Sequence, residues 1–334
     1  MITNDKFDLY DQVEDLDSLP AIRNVPEDQY LRQRKPPRIA GSTPSSAMQE
    51  LAEQENELNF SYTAAKHEKK WLTDSLTDFY RQQWFDDVLR LIKGGGKEAS
   101  VYQCLGNQTT QTPFIAAKVY RPRKFRQLRN DSLYREGRLN LDDEGHEIHN
   151  DRALHAIRQG TAFGMRLAHT SWIEHEFQTL TLLHKAGADV PKPYMSGNNA
   201  ILMEYIGWDE IPAPTLNTVN LPLKETRHIF DQAIHNVNIM LAHHRIHGDL
   251  SAFNILYMEG QITLIDFPQA IDPGQNRNAY HIFCRDILRL CEYFIARGVT
   301  CDPQKLAQDL WTGHGFQIRQ PIDPRLMDLE KLDS

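Results

Sequence analysis

The sequence predicts an α+β protein of two lobes, a small N-terminal lobe built on an antiparallel sheet and a mainly helical C-terminal lobe. Three observations lead there. A glycine-punctuated run of β-branched and aromatic residues between Ile92 and Tyr120 reads as hairpin strands. A buried strand, Ala200-Ile201-Leu202-Met203-Glu204-Tyr205-Ile206, then runs into Gly207, a natural hinge. Beyond it Ile229, Phe230, Ala233, Ile234, Val237, Met240 and Leu241 repeat with helical spacing. The lobes are divided at this strand, giving segments 1–70, 71–204 and 205–334.

With 334 residues, 40% hydrophobic and 25% charged, the chain has the composition of a globular protein with one large or two ordinary cores. A net charge of -8 argues against a general nucleic-acid coat. Cys104, Cys284, Cys291 and Cys301 form no Cys-x-x-Cys pair and suit a reducing cytosol. The start of the chain has no basic-then-apolar signal, and no apolar run is long enough to span a bilayer. The expected address is cytoplasmic, with no membrane partner.

Residues 1–70 are polar, with early acidic clusters and a basic tract from Arg32 to Arg38. They bury too little apolar surface to offset ordering entropy, which predicts a largely disordered tail, with room for some helix between Ser46 and Leu58. The basic tract reads as a solvated charge run rather than a docking element. Trp71, Leu72, Leu76, Phe79, Tyr80, Trp84, Val88 and Leu91 recur at intervals of three to five and predict a helix on a core. Gly94-Gly95-Gly96 follows. Three residues without Cβ let backbone N–H groups approach a polyphosphate, although a glycine cluster in isolation favours a flexible hairpin turn.

The strand Pro113–Tyr120 places Lys118 among apolar neighbours. A buried ammonium needs an anion, and a nucleotide phosphate plus a carboxylate would serve; an edge lysine in solvent is the bland alternative. Residues 121–168 are long and polar for a connection and are expected to be a mobile or functional loop, with His146 and His149 as loop residues rather than ligands. A helix from Ser171 to Lys185 carries Glu176, a candidate partner for Lys118.

His247-Gly248-Asp249-Leu250-Ser251-Ala252-Phe253-Asn254 sets an Asp five residues before an Asn, after a helix and before a strand. That is the spacing of kinase catalytic loops, where the carboxylate orients a hydroxyl and the amide binds a metal; a Gly-Asp turn capped by Asn is the local alternative. A hairpin, Ile255–Tyr257 and Ile262–Asp266, returns Asp266 beside Asn254 and supplies oxygen ligands suited to Mg²⁺. His243 and His247 lack a third ligand and read as structural, Cys284 and Cys291 as core. Asp286 would be either exposed or a brace beneath the catalytic loop.

These residues resemble the RIO atypical serine/threonine protein kinases from about Ile92 to Phe294. Gly95-Gly96-Lys97-Glu98-Ala99-Ser100-Val101-Tyr102 is similar to the family's phosphate loop, and Lys118 falls on its strand lysine. Tyr134-Arg135-Glu136-Gly137-Arg138 and Trp172-Ile173-Glu174-His175-Glu176-Phe177 are similar to the flanks of the flexible loop in the type-1 branch, whereas Asp266-Phe267-Pro268-Gln269 has the type-2 form. The blend suggests a separate, prokaryotic lineage. The resemblance implies ATP and Mg²⁺, with Mn²⁺ as an alternative ion. It implies that Asp249 is the catalytic base, Asn254 and Asp266 the metal ligands, Lys118 the phosphate lysine and Glu176 its partner. Gly95 to Val101 would cradle the phosphates, and Met203, Glu204 and Tyr205 would meet adenine. It further implies autophosphorylation or action on a protein substrate, an aspartyl phosphate on Asp266, ATPase turnover, and a ribosomal precursor or other ribonucleoprotein as partner.

Gly248 stands where most protein kinases carry an Arg that reads a phosphorylated activation loop, and Pro273-Gly274 soon follows Asp266, so no long activation segment is expected. Two competing functions remain at this level. They are an aminoglycoside-type small-molecule phosphotransferase and a nucleotide-binding assembly factor in ribosome biogenesis.

Overall fold

The computed structural model describes residues 58–94, 98–121, 131–197 and 199–318. The expectations for residues 1–57 and for Gly95, Gly96 and Lys97 lie outside these described residues.

The N-terminal lobe is a five-stranded antiparallel sheet of order β1-β2-β3-β5-β4, formed by β1 (Asp87–Lys93), β2 (Ala99–Leu105), β3 (Phe114–Tyr120), β4 (Pro193–Ser196) and β5 (Ala200–Glu204). Helix α1 (Lys66–Arg81) covers one face. Its Leu72, Leu76 and Phe79 lie three or four apart on one stripe and pack with Tyr102, Cys104, Ile115, Ala117, Val119, Ala200 and Leu202. Order begins before Trp71, because Leu58 is buried in this cluster and Phe60 bridges Val88. The helix expected to reach Leu91 stops at Arg81. Gln83 takes a left-handed φ of 61°, and Val88 and Leu91 enter β1, paired with Cys104 and Tyr102. Their helix-like spacing of three arises because a register irregularity between Val88 and Arg90 returns them to one face of the strand.

Strand alternation decides what the other face carries. With Ile115, Ala117 and Val119 turned towards α1, β3 presents Ala116, Lys118 and Tyr120 to the opposite side. There Tyr120 and Ile201 pack with Trp172 and Ile173 of helix α4 (Ala162–Lys185). The loop expected over 121–168 is more structured than its polarity suggested. It contains helices α2 (Asp131–Arg135) and α3 (Asp151–Gln159) and the first residues of α4. Asn150 caps α3 by accepting from Arg152 N and Ala153 N, Gly160 ends it at φ 64°, and Thr161 caps α4 by accepting from Gly164 N.

After β5 a short hairpin, β6 (Gly207–Trp208) and β7 (Ile211–Pro212), ties the lobes together. Arg90 of β1 pairs with Glu210 at 2.9 Å, Gln103 Nε2 donates to Asp209 O at 2.5 Å, and Trp208 Nε1 donates to Glu259 Oε1 at 3.0 Å. The second lobe comprises α5 (Leu223–Ala242), the hairpin β8 (Ile255–Met258) and β9 (Gln261–Leu264), α6 (Ala279–Ile295) and α7 (Pro303–Gly313). Ile229, Ala233, Val237, Met240 and Leu241 of α5 meet Ile282, Phe283, Ile287, Leu290 and Phe294 of α6 in its core. Leu133 and Tyr134 of α2 join this second core, so the insertion between β3 and α4 docks on the far lobe. Among the described residues no helix is long and apolar enough to cross a membrane.

Candidate active site

The cleft between the lobes is built around one buried cation. Lys118 Nζ donates to Glu176 Oε1 and to Asp266 Oδ1, each at 2.5 Å, and Lys118 and Glu176 are 6% and 1% exposed. Glu176 reaches it because α4 crosses the sheet face that β3 presents. Its other oxygen accepts from Tyr120 OH at 2.6 Å, and its Oε1 also accepts from Phe267 N at 3.2 Å. Burial alone would lower the Lys118 ammonium, but the two carboxylates overcome this and hold it above its ordinary value. Burial likewise pushes the Asp266 carboxyl up, and the Lys118 charge and hydrogen bond outweigh it, leaving the group below its usual range. Asp266 sits at φ 75°, a left-handed backbone that turns its side chain back toward Lys118 as β9 ends.

Asp249 and Asn254 lie in the loop between α5 and β8. Asn254 Nδ2 donates to Asp249 O at 2.9 Å and to Asp249 Oδ2 at 3.1 Å, which leaves the amide oxygen as the atom able to ligate. Asn254 is buried at 6% exposure, and Ile265 N donates to its backbone oxygen at 3.0 Å, so the hairpin holds it beside Asp266. One amide oxygen and one carboxylate oxygen form a hard donor set. Among the described residues no three His, Cys, Asp or Glu side chains gather into a self-sufficient cage. Such a pair fits Mg²⁺, which takes few protein ligands and completes its shell with phosphates and water.

The loop from His247 to Asn254 is gripped from beneath by α6. Gly248 N donates to Asp286 Oδ2 at 2.7 Å, and Arg285 Nη2 donates to Gly248 O. Asp286 is 1% exposed, so the brace rather than the exposed reading is correct. Burial pushes its carboxyl up, with Arg285 opposing. Gly248 has φ 83°, and a Cβ there would lie 2.3 Å from Gln269 O, which is why the loop has glycine at this point. His247 is structural: its Nε2 contacts Ile265 O at 3.1 Å and its ring lies 4.5 Å from that of Phe267. It shares no helix with His243, since α5 ends at Ala242.

Both sequences flanking the insertion converge on the segment after Asp266. Arg138 Nη2 donates to Ala270 O at 2.7 Å, and His175 Nε2 reaches the same oxygen at 3.0 Å. Asn276 Nδ2 donates to Leu133 O at 2.6 Å, and Tyr134 OH accepts from Arg285 Nη1 at 2.7 Å. Residues 267–278 are thus pinned between α4, the insertion and α6, and the chain enters α6 at Ala279 without a long activation segment.

His175 carries a pH prediction. Burial pushes its imidazole down from 6.5 to about 3, so it bonds Ala270 O as the neutral Nε2–H form. Between those values the unfolded chain binds the proton that the fold rejects. Stability present above pH 6.5 is therefore lost as pH falls toward 3, by about 2 kcal/mol at pH 5. Urea midpoints at pH 7 and pH 5 should show this loss in the natural chain and a smaller one in His175→Gln. Equal losses in the two would contradict it.

Of the residues expected at the nucleotide, Val101 pairs with Lys118 across β2 and β3, Met203 pairs with Ala116 and Glu204 with Ile115, while Ile201 of β5 stands opposite Lys118. Met203 thus lies two residues along β5 from the strand position opposite Lys118. Ser100 is buried and belongs to β2, as does Ala99, and Glu98 precedes them. Glu204 Oε2 accepts from Lys192 N at 3.1 Å, and the buried Tyr205 hydroxyl has no hydrogen-bond partner. One group escaped the motif reading: Arg289 of α6, whose Nη1 donates to Asp249 Oδ1 at 2.8 Å.

The RIO domain family model matches residues 100–306. The chain belongs to the RIO domain family. A RIO-type serine/threonine-protein kinase Rio1 from Thermoplasma acidophilum is 32% identical over 137 residues, covering 41% of this chain and 70% of that protein. Mouse serine/threonine-protein kinase RIO3 is 32% identical over 130 residues, 39% of this chain but only 25% of RIO3, so this RIO chain spans about a quarter of that relative. A solved structure of a Rio2 kinase–ADP/Mg²⁺–phosphoaspartate complex from Chaetomium thermophilum is similar at 16% identity and a TM-score of 0.48, covering 86% of this chain and 82% of that one.

Proposed function

We propose that this RIO chain is an ATP- and Mg²⁺-dependent serine/threonine protein kinase that transfers the γ-phosphoryl group to a protein hydroxyl, its own or another's. The observation that carries the reading is Lys118, buried between Glu176 and Asp266, with the Asp249 loop tied through His247 and Asn254 to Ile265, the residue before Asp266. Two carboxylates against one ammonium leave the cleft with a negative charge that a divalent cation carrying phosphates would offset. In the reaction, the acceptor hydroxyl gives its proton to the Asp249 carboxylate as its oxygen bonds phosphorus and the bond to the ADP oxygen breaks. Lys118 and backbone N–H groups of the glycine-rich segment hold the phosphates, and Met203 to Tyr205 line the adenine end. Bound Mg²⁺, held by Asn254 and Asp266, would supply neutralisation of phosphate charge; Mn²⁺ suits the same oxygen donors.

The pinned segment 267–278 supports activity without activation-loop phosphorylation and weak binding of extended peptides. Asp266, with one-third of its side chain exposed beside Lys118, supports a second outcome, phosphoryl capture by its carboxylate followed by hydrolysis. Four unpaired thiols suit a cytoplasmic setting, and a ribosomal precursor or other ribonucleoprotein is the partner class carried over from the resemblance.

Incubation with γ-labelled ATP and Mg²⁺ tests the reading. Acid-stable, hydroxylamine-resistant label on the chain or a protein acceptor is expected for serine or threonine transfer. Label released by alkaline hydroxylamine would instead mark acyl phosphate on Asp266. Label passing only to hydroxylated small molecules, or ATP binding with no turnover, would overturn the kinase assignment.

A further inference from the structure

The RIO kinase reading places Asp249 at the reacting hydroxyl, and the contacts of that carboxylate point to a group no motif includes. We infer that Arg289 is a positioning residue for the phosphoryl-transfer step, fixing the Asp249 carboxylate in the orientation that accepts the hydroxyl proton. The inference rests on the proposed kinase activity.

Helix α6 approaches the catalytic loop at two levels one turn apart. At the first, Arg285 and Asp286 hold the two sides of the Gly248 peptide. At the second, Arg289 reaches past them to the next residue's side chain and donates to Asp249 Oδ1 at 2.8 Å. The spacing of three and four residues puts 285, 286 and 289 on one helix face, so bracing the backbone also aims the guanidinium. The opposite oxygen, Oδ2, accepts from Asn254 Nδ2 at 3.1 Å. The carboxylate is thereby held from both ends. Its plane cannot turn without breaking a charge-assisted bond, yet each oxygen retains a lone pair for a hydroxyl proton.

Burial separates this role from a structural one. The Asp249 side chain is 43% exposed and that of Arg289 is 21% exposed, whereas Arg285 and Asp286 are 5% and 2% exposed. An ion pair this open adds little to stability. Its value lies in restricting the rotation of a carboxylate that would otherwise be free on the cleft side, where small misplacement of a reacting group costs rate steeply.

The test compares the natural chain with Arg289→Gln and Arg289→Lys, each alone and with Asp249→Asn, under saturating Mg·ATP. For Arg289→Gln the expected result is a fall in kcat of about tenfold or more, with KM for ATP and the thermal midpoint nearly unchanged. Arg289→Lys should recover part of the rate, because it keeps the charge and loses the fork. Added to Asp249→Asn, Arg289→Gln should cost nothing further, since it acts through that carboxylate. An unchanged kcat, a loss that multiplies in the Asp249→Asn background, or a rate loss that follows a lowered midpoint would each overturn the inference. Absence of transfer by the natural chain would instead remove the kinase reading beneath it.

Discussion

Asp249→Ala should lower phosphoryl transfer by about 10²–10⁴-fold, the contribution typical of a positioned general base, while ATP binding largely survives. The separation follows from the two halves of the cleft. Lys118, Glu176 and the β2–β3–β5 surface belong to the N-terminal lobe, and none of their contacts passes through Asp249. Asp249 meets Asn254 and Arg289 instead. Removing its side chain returns a partly exposed guanidinium to water, so the fold should lose no more than about 1 kcal/mol. Asp249→Asn controls for shape, keeping the planar group while removing the base. Rates of autophosphorylation, protein transfer and ATP hydrolysis, read beside nucleotide affinity by calorimetry, check the expectation. Natural rates in either variant would exclude Asp249 as the base, and loss of ATP binding in both would mean that the loop builds the nucleotide pocket itself.

Much of this site was legible in the sequence because its residues violate local rules. A lysine inside Phe-Ile-Ala-Ala-Lys-Val-Tyr demands an anion wherever that strand is buried, and it is fully enclosed. Asp249, Asn254 and Asp266 were readable because two short spacings, a loop and a hairpin, fix their separation before any long-range packing is known. Arg289 had no such signal. Its partner is forty residues away, and an arginine on an amphipathic helix resembles any solvated residue until the helix is docked.

The misread boundaries have similar causes. Val88 and Leu91 continued the intervals of α1 because a register irregularity between Val88 and Arg90 puts strand residues three apart on one face, and pairing with Cys104 and Tyr102 made them strand. Within 121–168 the cap signals were present, Asn150 and Gly160 around α3 and Thr161 before α4, but they flank a helix with no buried residue. Hydrophobic patterning therefore gave no reason to look for them. What folds the insertion is its docking through Leu133, Tyr134 and Arg138 onto the C-terminal lobe, a tertiary effect that sequence polarity conceals.

Lys118→Met should be the most destabilising single change in the cleft, because it removes the cation from a buried triad and leaves both carboxylates. Breaking a buried pair from one side costs about 3–5 kcal/mol, far more than an exposed pair is worth. Glu176 would keep its bonds from Tyr120 OH and Phe267 N but would lie 1% exposed without a counter-charge. Asp266, more open to water, relaxes more easily and adds less. The double variant Lys118→Met with Glu176→Gln removes the stranded charge and should recover much of the stability without recovering transfer, since the phosphate cation is still missing. Urea unfolding of the natural chain and the two variants, with transfer assays alongside, checks each part. A double variant no more stable than the single would show that Lys118 contributes by packing its alkyl stem rather than by compensating buried charge.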